Sequence, residues 1–133
     1  IYRGEQMHSF DAVFSGKGAD GNPDKICNPV TGAINANTFE HWKHYDISLN
    51  LRTNWSNLKQ NLEGKIRVTV GEQDNFLLND AVHILDNEMQ KMDTKFVFGY
   101  FPGDHFTVST PEYRKAGLAF LAERYAIWQK QHP

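Results

Sequence analysis

Residues 95–110, KFVFGYFPGDHFTVST, decide how this chain is read. An apolar, aromatic and β-branched run, Lys95 to Phe101, stops at Pro102-Gly103 and is followed at once by a histidine. Such a run, bounded by turn residues, predicts a strand. A second run of the same character, 66-IRVTVG-71, ends at a glycine and is followed by Glu72-Gln73-Asp74. A third, 10-FDAVFS-15, ends before Gly16 and also reads as a strand. Nearly continuous hydrophobicity suits strands covered on both faces, as in a parallel sheet.

Helical spacing fills the intervals. Leu78, Val82, Leu85, Met89 and Met92 share one face of a helix expected over roughly 76 to 92. Ser109-Thr110-Pro111-Glu112 is a helix-start signature with proline in the first turn. Behind it, Tyr113, Gly117, Leu121, Tyr125 and Trp128 form a stripe. A weaker pattern predicts a helix from Ile47 to Leu62. Strands alternating with helices imply right-handed parallel crossovers. The expected fold is therefore α/β, a three-layer α/β/α sandwich with a short parallel sheet of about three strands, in a single domain over 1–133. Gly16 to about Thr38, rich in Gly, Asn, Asp and Pro, reads as a long functional or insertional loop.

Composition narrows the functional classes. The 133 residues are 40% hydrophobic and 13% aromatic, which excludes a disordered chain. Fourteen basic and sixteen acidic residues leave a net charge of −2, and no basic run marks a nucleic-acid or anionic-membrane partner. No apolar stretch approaches the ~20 residues of a membrane-spanning helix. The single cysteine, Cys27, has no internal partner and reads as an inert thiol. The opening Ile1-Tyr2-Arg3-Gly4 carries no initiator methionine and reads as the start of a processed product or of a piece of something longer.

In a parallel sheet all strand carboxyl ends lie on one edge, where ligands bind. Asp74 and His105 each follow such an end, 31 residues apart. On neighbouring strands about 4.8 Å apart, their side chains can meet. An aspartate that accepts from one ring nitrogen fixes the tautomer and frees the other nitrogen to take a proton. Glu72 and Asp104 are rival acids; Asp74, three residues past its strand, can be turned towards His105 by the loop.

The sequence 68-VTVGEQDNFLL-78, a helix, an apolar strand and then 102-PGDHF-106 resembles the carboxyl-terminal part of an α/β-hydrolase of the esterase group. In that family the acid follows the seventh strand and the histidine the eighth, so the resemblance implies Asp74 as acid and His105 as base. It also likens 1-IYRGEQMHSFDAVFSGKGADGNP-23 to the end of the nucleophile helix and the sixth strand. The implied activity is hydrolysis of a small carboxylic ester without a cofactor. Trp42, Tyr45 and Phe76 are candidate substrate-binding residues.

The family's nucleophile motif, G-x-S-x-G at a strand–turn–helix elbow, does not occur here. Ser9 and Ser15 fall at the wrong place, so the serine is expected upstream of Ile1 and this chain alone is expected to be inactive. The missing amino-terminal half, or a second copy pairing through an open edge strand 11–15, is the expected partner. A different class remains in view: a non-catalytic α/β binding or interaction module in which Asp74 and His105 only pin loops.

Other patterns carry less. Asp20-Gly21-Asn22-Pro23-Asp24 starts like a calcium loop but has Lys25 and Thr31 where glycine and glutamate are required, so an Asx-rich turn is expected. His41 and His44 lack further zinc ligands at suitable spacing, leaving no metal site. His83 reads as a surface or satisfied histidine within its helix, and Trp42, Tyr45 and Trp55 as packing or a cap.

Overall fold

The computed structural model describes residues Glu5–His132, so the Ile1–Gly4 opening lies outside the described residues. The chain divides into two compact units, Ile1–Thr53 and Asn54–Pro133.

The first unit begins with helix α1, Glu5–Phe14. This corrects the strand expected at 10-FDAVFS-15 and, with it, the edge through which Asp11 to Ser15 was expected to pair. Met7, Phe10 and Phe14 follow helical spacing, and the Phe10 and Phe14 rings stand 6.0 Å apart. Asp11 is buried, and its Oδ1 accepts the Ile26 N–H at 3.0 Å. That contact ties the helix to the loop that follows.

The loop after α1 is given shape by two isolated antiparallel bridges, Lys17 with Pro23 and Cys27 with Ile34. Within it, Asp20 Oδ1 accepts the Asn22 N–H at 2.9 Å, the Asx turn that the sequence suggests. Asn35 caps helix α2, Ala36–Trp42, by accepting from the Asn37 and Thr38 N–H groups. One 3₁₀ turn, Lys43–Tyr45, leads into helix α3, Ile47–Leu62. The boundary between the units falls within α3.

The second unit is α/β. Strand β1, Arg67–Gly71, leads to helix α4, Leu78–Lys91, then strand β2, Val97–Phe101, and helix α5, Pro111–Gln131. The two strands are adjacent and parallel, with Val70 opposite Tyr100, in a two-stranded sheet where about three strands were expected. The α4 face is covered most completely at Met89, which is 1% exposed, whereas Leu78 in its first turn is 44% exposed; Val70 and Trp55 are also buried. Trp55 meets the Phe96 ring edge-on at 5.5 Å. Thr110 caps α5 by accepting the Tyr113 N–H, with Pro111 in the first turn.

The α5 stripe is covered at one end only. Tyr113 packs edge-on against Phe101 at 5.2 Å and its hydroxyl accepts from Thr69 Oγ1 at 3.2 Å. Leu121, Tyr125 and Trp128 are more than half exposed, so the later turns present apolar side chains to solvent.

Candidate active site

The parallel ladder sets the site. Val97 N–H donates to the Ile66 carbonyl and Glu72 N–H to the Phe101 carbonyl, at 3.0 and 2.9 Å. In such a ladder alternate residues of β1 bond to β2 and the others face away. With the observed register, Val68 and Val70 face β2, whereas Arg67 and Thr69 turn their main chain outward. Pairing continues past both strand ends, so the two following loops leave the sheet side by side.

Gly71 permits this closeness. A Cβ there would run into the Gly103 carbonyl oxygen and lie 3.1 Å from the Asp104 carbonyl oxygen, both backbone atoms that cannot swing aside. Gly103 itself has φ of +115°, a conformation that side-chain-bearing residues rarely adopt. The punctuation glycines after the two strands are therefore what lets acid and base loops touch.

Asp74 and His105 meet there. His105 Nδ1 and Asp74 Oδ2 are 3.0 Å apart. The carboxylate side chain is 3% exposed and the imidazole 44% exposed, so the acid is buried beneath a base that reaches solvent. An ionised carboxylate accepts only, which assigns the Nδ1 hydrogen to the ring and leaves Nε2 with a free lone pair. Asp74 Oδ1 is committed elsewhere: it accepts the Phe76 N–H at 2.8 Å and the Leu78 N–H at 3.4 Å, at the start of α4. Burial works to raise the acid's pKa, but the bonds from His105, Phe76 and Leu78 outweigh it and hold the carboxyl below its ordinary value.

The rival acids have other partners. Glu72 Oε2 lies 3.4 Å from His83 Nε2. Asp104 folds its own turn, its Oδ1 accepting from the Phe106 N–H, the Thr107 N–H and Thr107 Oγ1 at 2.8–2.9 Å. Those bonds depress the Asp104 pKa, with the Thr107 hydroxyl contributing most.

Two phenylalanines flank the histidine. Phe76 stands edge-on to the His105 ring at 4.9 Å and Phe106 does so at 5.4 Å. Phe76 is thus brought to the dyad; Phe106, which the sequence reading passed over, is its counterpart on the histidine loop. Leu77 between Asp74 and the helix holds a left-handed φ of 58°, an uncommon state for a branched residue.

Trp42 and Tyr45 belong to the first unit, where both rings pack on Phe14 at 5.6 and 5.1 Å. Trp42 Nε1 also donates to Ser15 Oγ at 2.7 Å. With Phe10 and Phe39 they line an open cavity of about 680 Å³. Trp55 belongs to the second unit and is buried. His44 Nδ1 lies 2.8 Å from the His41 carbonyl oxygen, which it can only approach as a donor. Among the described residues, no group of three or more His, Cys, Asp or Glu side chains is gathered to hold a metal.

The sequence reading missed Gln73 and Asn75, which cross from the acid loop to the histidine loop. Gly103 N–H donates to Gln73 Oε1 at 2.7 Å and His105 N–H donates to Asn75 Oδ1 at 3.1 Å. Their position on either side of the acid was the available signal. No family model, curated protein or solved structure matches this chain.

Proposed function

We propose that this chain supplies the acid and base of a serine carboxylic-ester hydrolase, with the serine and oxyanion hole contributed by a segment preceding residue 1. The observation that carries this reading is the 3.0 Å contact between a buried carboxylate and a half-exposed imidazole, at the carboxyl ends of two adjacent parallel strands. In this scheme His105 Nε2 takes the proton of the serine hydroxyl as its oxygen attacks the ester carbonyl, then returns it to the departing alcohol. Asp74 stays ionised, holds the ring in one tautomer and stabilises the imidazolium that forms between the two transfers. Phe76 provides an apolar wall beside the base. In the complete enzyme the two strands form part of a larger sheet, covered by helices in a three-layer α/β/α arrangement.

One observation favours the non-catalytic reading. Asp74 Oδ1 accepts the Phe76 and Leu78 N–H groups in the turn that leads into α4, a structural task that an aspartate performs without any chemistry. Hydrolysis of an activated ester by the polypeptide extended through its preceding segment separates the two. His105→Ala is expected to lower kcat by roughly 10⁶-fold, as removal of a triad histidine does. Turnover unaffected by His105→Ala, in an extended protein that does hydrolyse the ester, sinks the proposal. The 133-residue chain alone is expected to show no hydrolysis above its His105→Ala control.

A further inference from the structure

Acid and base are joined by more than their own contact. Gln73 N–H donates to the Gly103 carbonyl at 3.1 Å while Gly103 N–H donates back to Gln73 Oε1 at 2.7 Å. One residue beyond the acid, Asn75 Oδ1 accepts the His105 main-chain N–H at 3.1 Å. The residues immediately before and after Asp74 thus grip the histidine loop at two points, two residues apart.

The Asn75 contact differs in kind from the Gln73 pair. Gln73 and Gly103 fix the turn, whereas Asn75 fixes the main chain of the very residue whose ring Asp74 holds. A ring tethered at Nδ1 alone breaks and remakes that bond as its backbone pivots, so that the tautomer is no longer held and Nε2 sweeps through space. Fixing the main-chain nitrogen as well removes that freedom and sets the direction of the Nε2 lone pair. Asparagine suits this task because its side-chain carbonyl offers an acceptor on a short stem.

We propose that Asn75 is a positioning residue for His105, acting through the histidine main chain to hold the ring in its Nδ1–H tautomer with Nε2 aimed in one direction. The proposal rests on reading His105 as the base. Its importance for rate follows from geometry, since a misplacement of about 1 Å at a reacting group can cost on the order of 10².

The ¹⁵N-labelled 133-residue chain carries the test, because the tautomer can be read without turnover. In the unaltered chain the His105 ring nitrogens should show the shifts of a single Nδ1–H form, and its amide should exchange roughly tenfold or more slower than a free peptide amide. Asn75→Ala should shift the ring towards a mixture of both tautomers, whereas Asn75→Asp, which keeps an acceptor oxygen, should retain the single form. Ring shifts in Asn75→Ala identical to those of the unaltered chain overturn the proposal, and so does a mixture in Asn75→Asp. If Asn75→Ala does not fold, the unaltered chain decides: an unprotected His105 amide overturns the idea. These outcomes are independent of whether His105 is a base, which the His105→Ala rate of the extended protein decides separately.

Discussion

Tyr100 donates its hydroxyl hydrogen to Asp86 Oδ2 across 2.7 Å, joining β2 to α4 behind the dyad. His83 from the same helix lies flat on the tyrosine ring, with centroids 4.2 Å apart and planes 9° from parallel. Burial, then the bond to Asp86 and the nearby carboxylates, pushes the Tyr100 phenol well above its ordinary value. Tyr100→Phe should lower unfolding free energy by about 1.5–3 kcal/mol, the range for a hydrogen bond to a charged group. Urea titration checks this. Because the folded phenol is raised, its contribution is complete below the ordinary value of 10.0 and is lost as the pH climbs through the folded one. The difference between the two proteins should therefore shrink only in strong alkali.

Asp74 makes the opposite pH signature. Its folded carboxyl lies below the ordinary 3.8, so it contributes stability above that value and loses it as pH falls through the folded pKa. Asp74→Asn keeps an oxygen for the Phe76 and Leu78 N–H groups but cannot titrate. Its urea midpoint should fall less steeply than that of the unaltered chain between about pH 4 and pH 2. Parallel acid limbs in the two proteins would show that the carboxylate is not preferentially stabilised.

Gly71 offers a test of how the loops are spaced. Gly71→Ala places a methyl against the Gly103 carbonyl, so the histidine loop must retreat. The expected cost is about 1–3 kcal/mol, as for other overpacked sites, with loss of the Asp74–His105 contact. A normal His105 Nδ1 proton signal in Gly71→Ala would contradict this.

In the first unit, Asp11 is the sensitive position. Asp11→Ala leaves the Ile26 N–H buried without its acceptor, at an expected cost of about 1–3 kcal/mol. Thermal unfolding of the variant against Asp11→Asn, which can still accept, measures it.

The strands Arg67–Gly71 and Val97–Phe101 were legible because β-branched and aromatic residues dominate two runs that end at Gly71 and at Pro102-Gly103. The meeting of Asp74 with His105 was legible for a related reason. Once two strands are parallel neighbours, the residues after their carboxyl ends share one edge. The run 10-FDAVFS-15 misled because four apolar residues within six do not distinguish a strand from a helical turn. Val13 is its only β-branched member, and the 7, 10, 14 spacing of Met7, Phe10 and Phe14 was the better guide. Burial of Asp11 was beyond reach, since its partner is the main chain of Ile26, fifteen residues on. The exposed later turns of α5 escaped for the converse reason, as periodicity marks an apolar side but not what covers it.

The alternation of ladder bonds along β1 and β2 gives the sheet a directional isotope signature. The amides of Val68, Val70, Gly99 and Phe101 point between the strands, while those of Thr69, Phe98 and Tyr100 point outward. In deuterated solvent the chain should retain protium at every second residue of each strand. A strand added beside β1 would slow the Thr69 amide, and one added beside β2 would slow Phe98 and Tyr100. The chain thus carries in its own main chain a reporter of which edge a partner has joined.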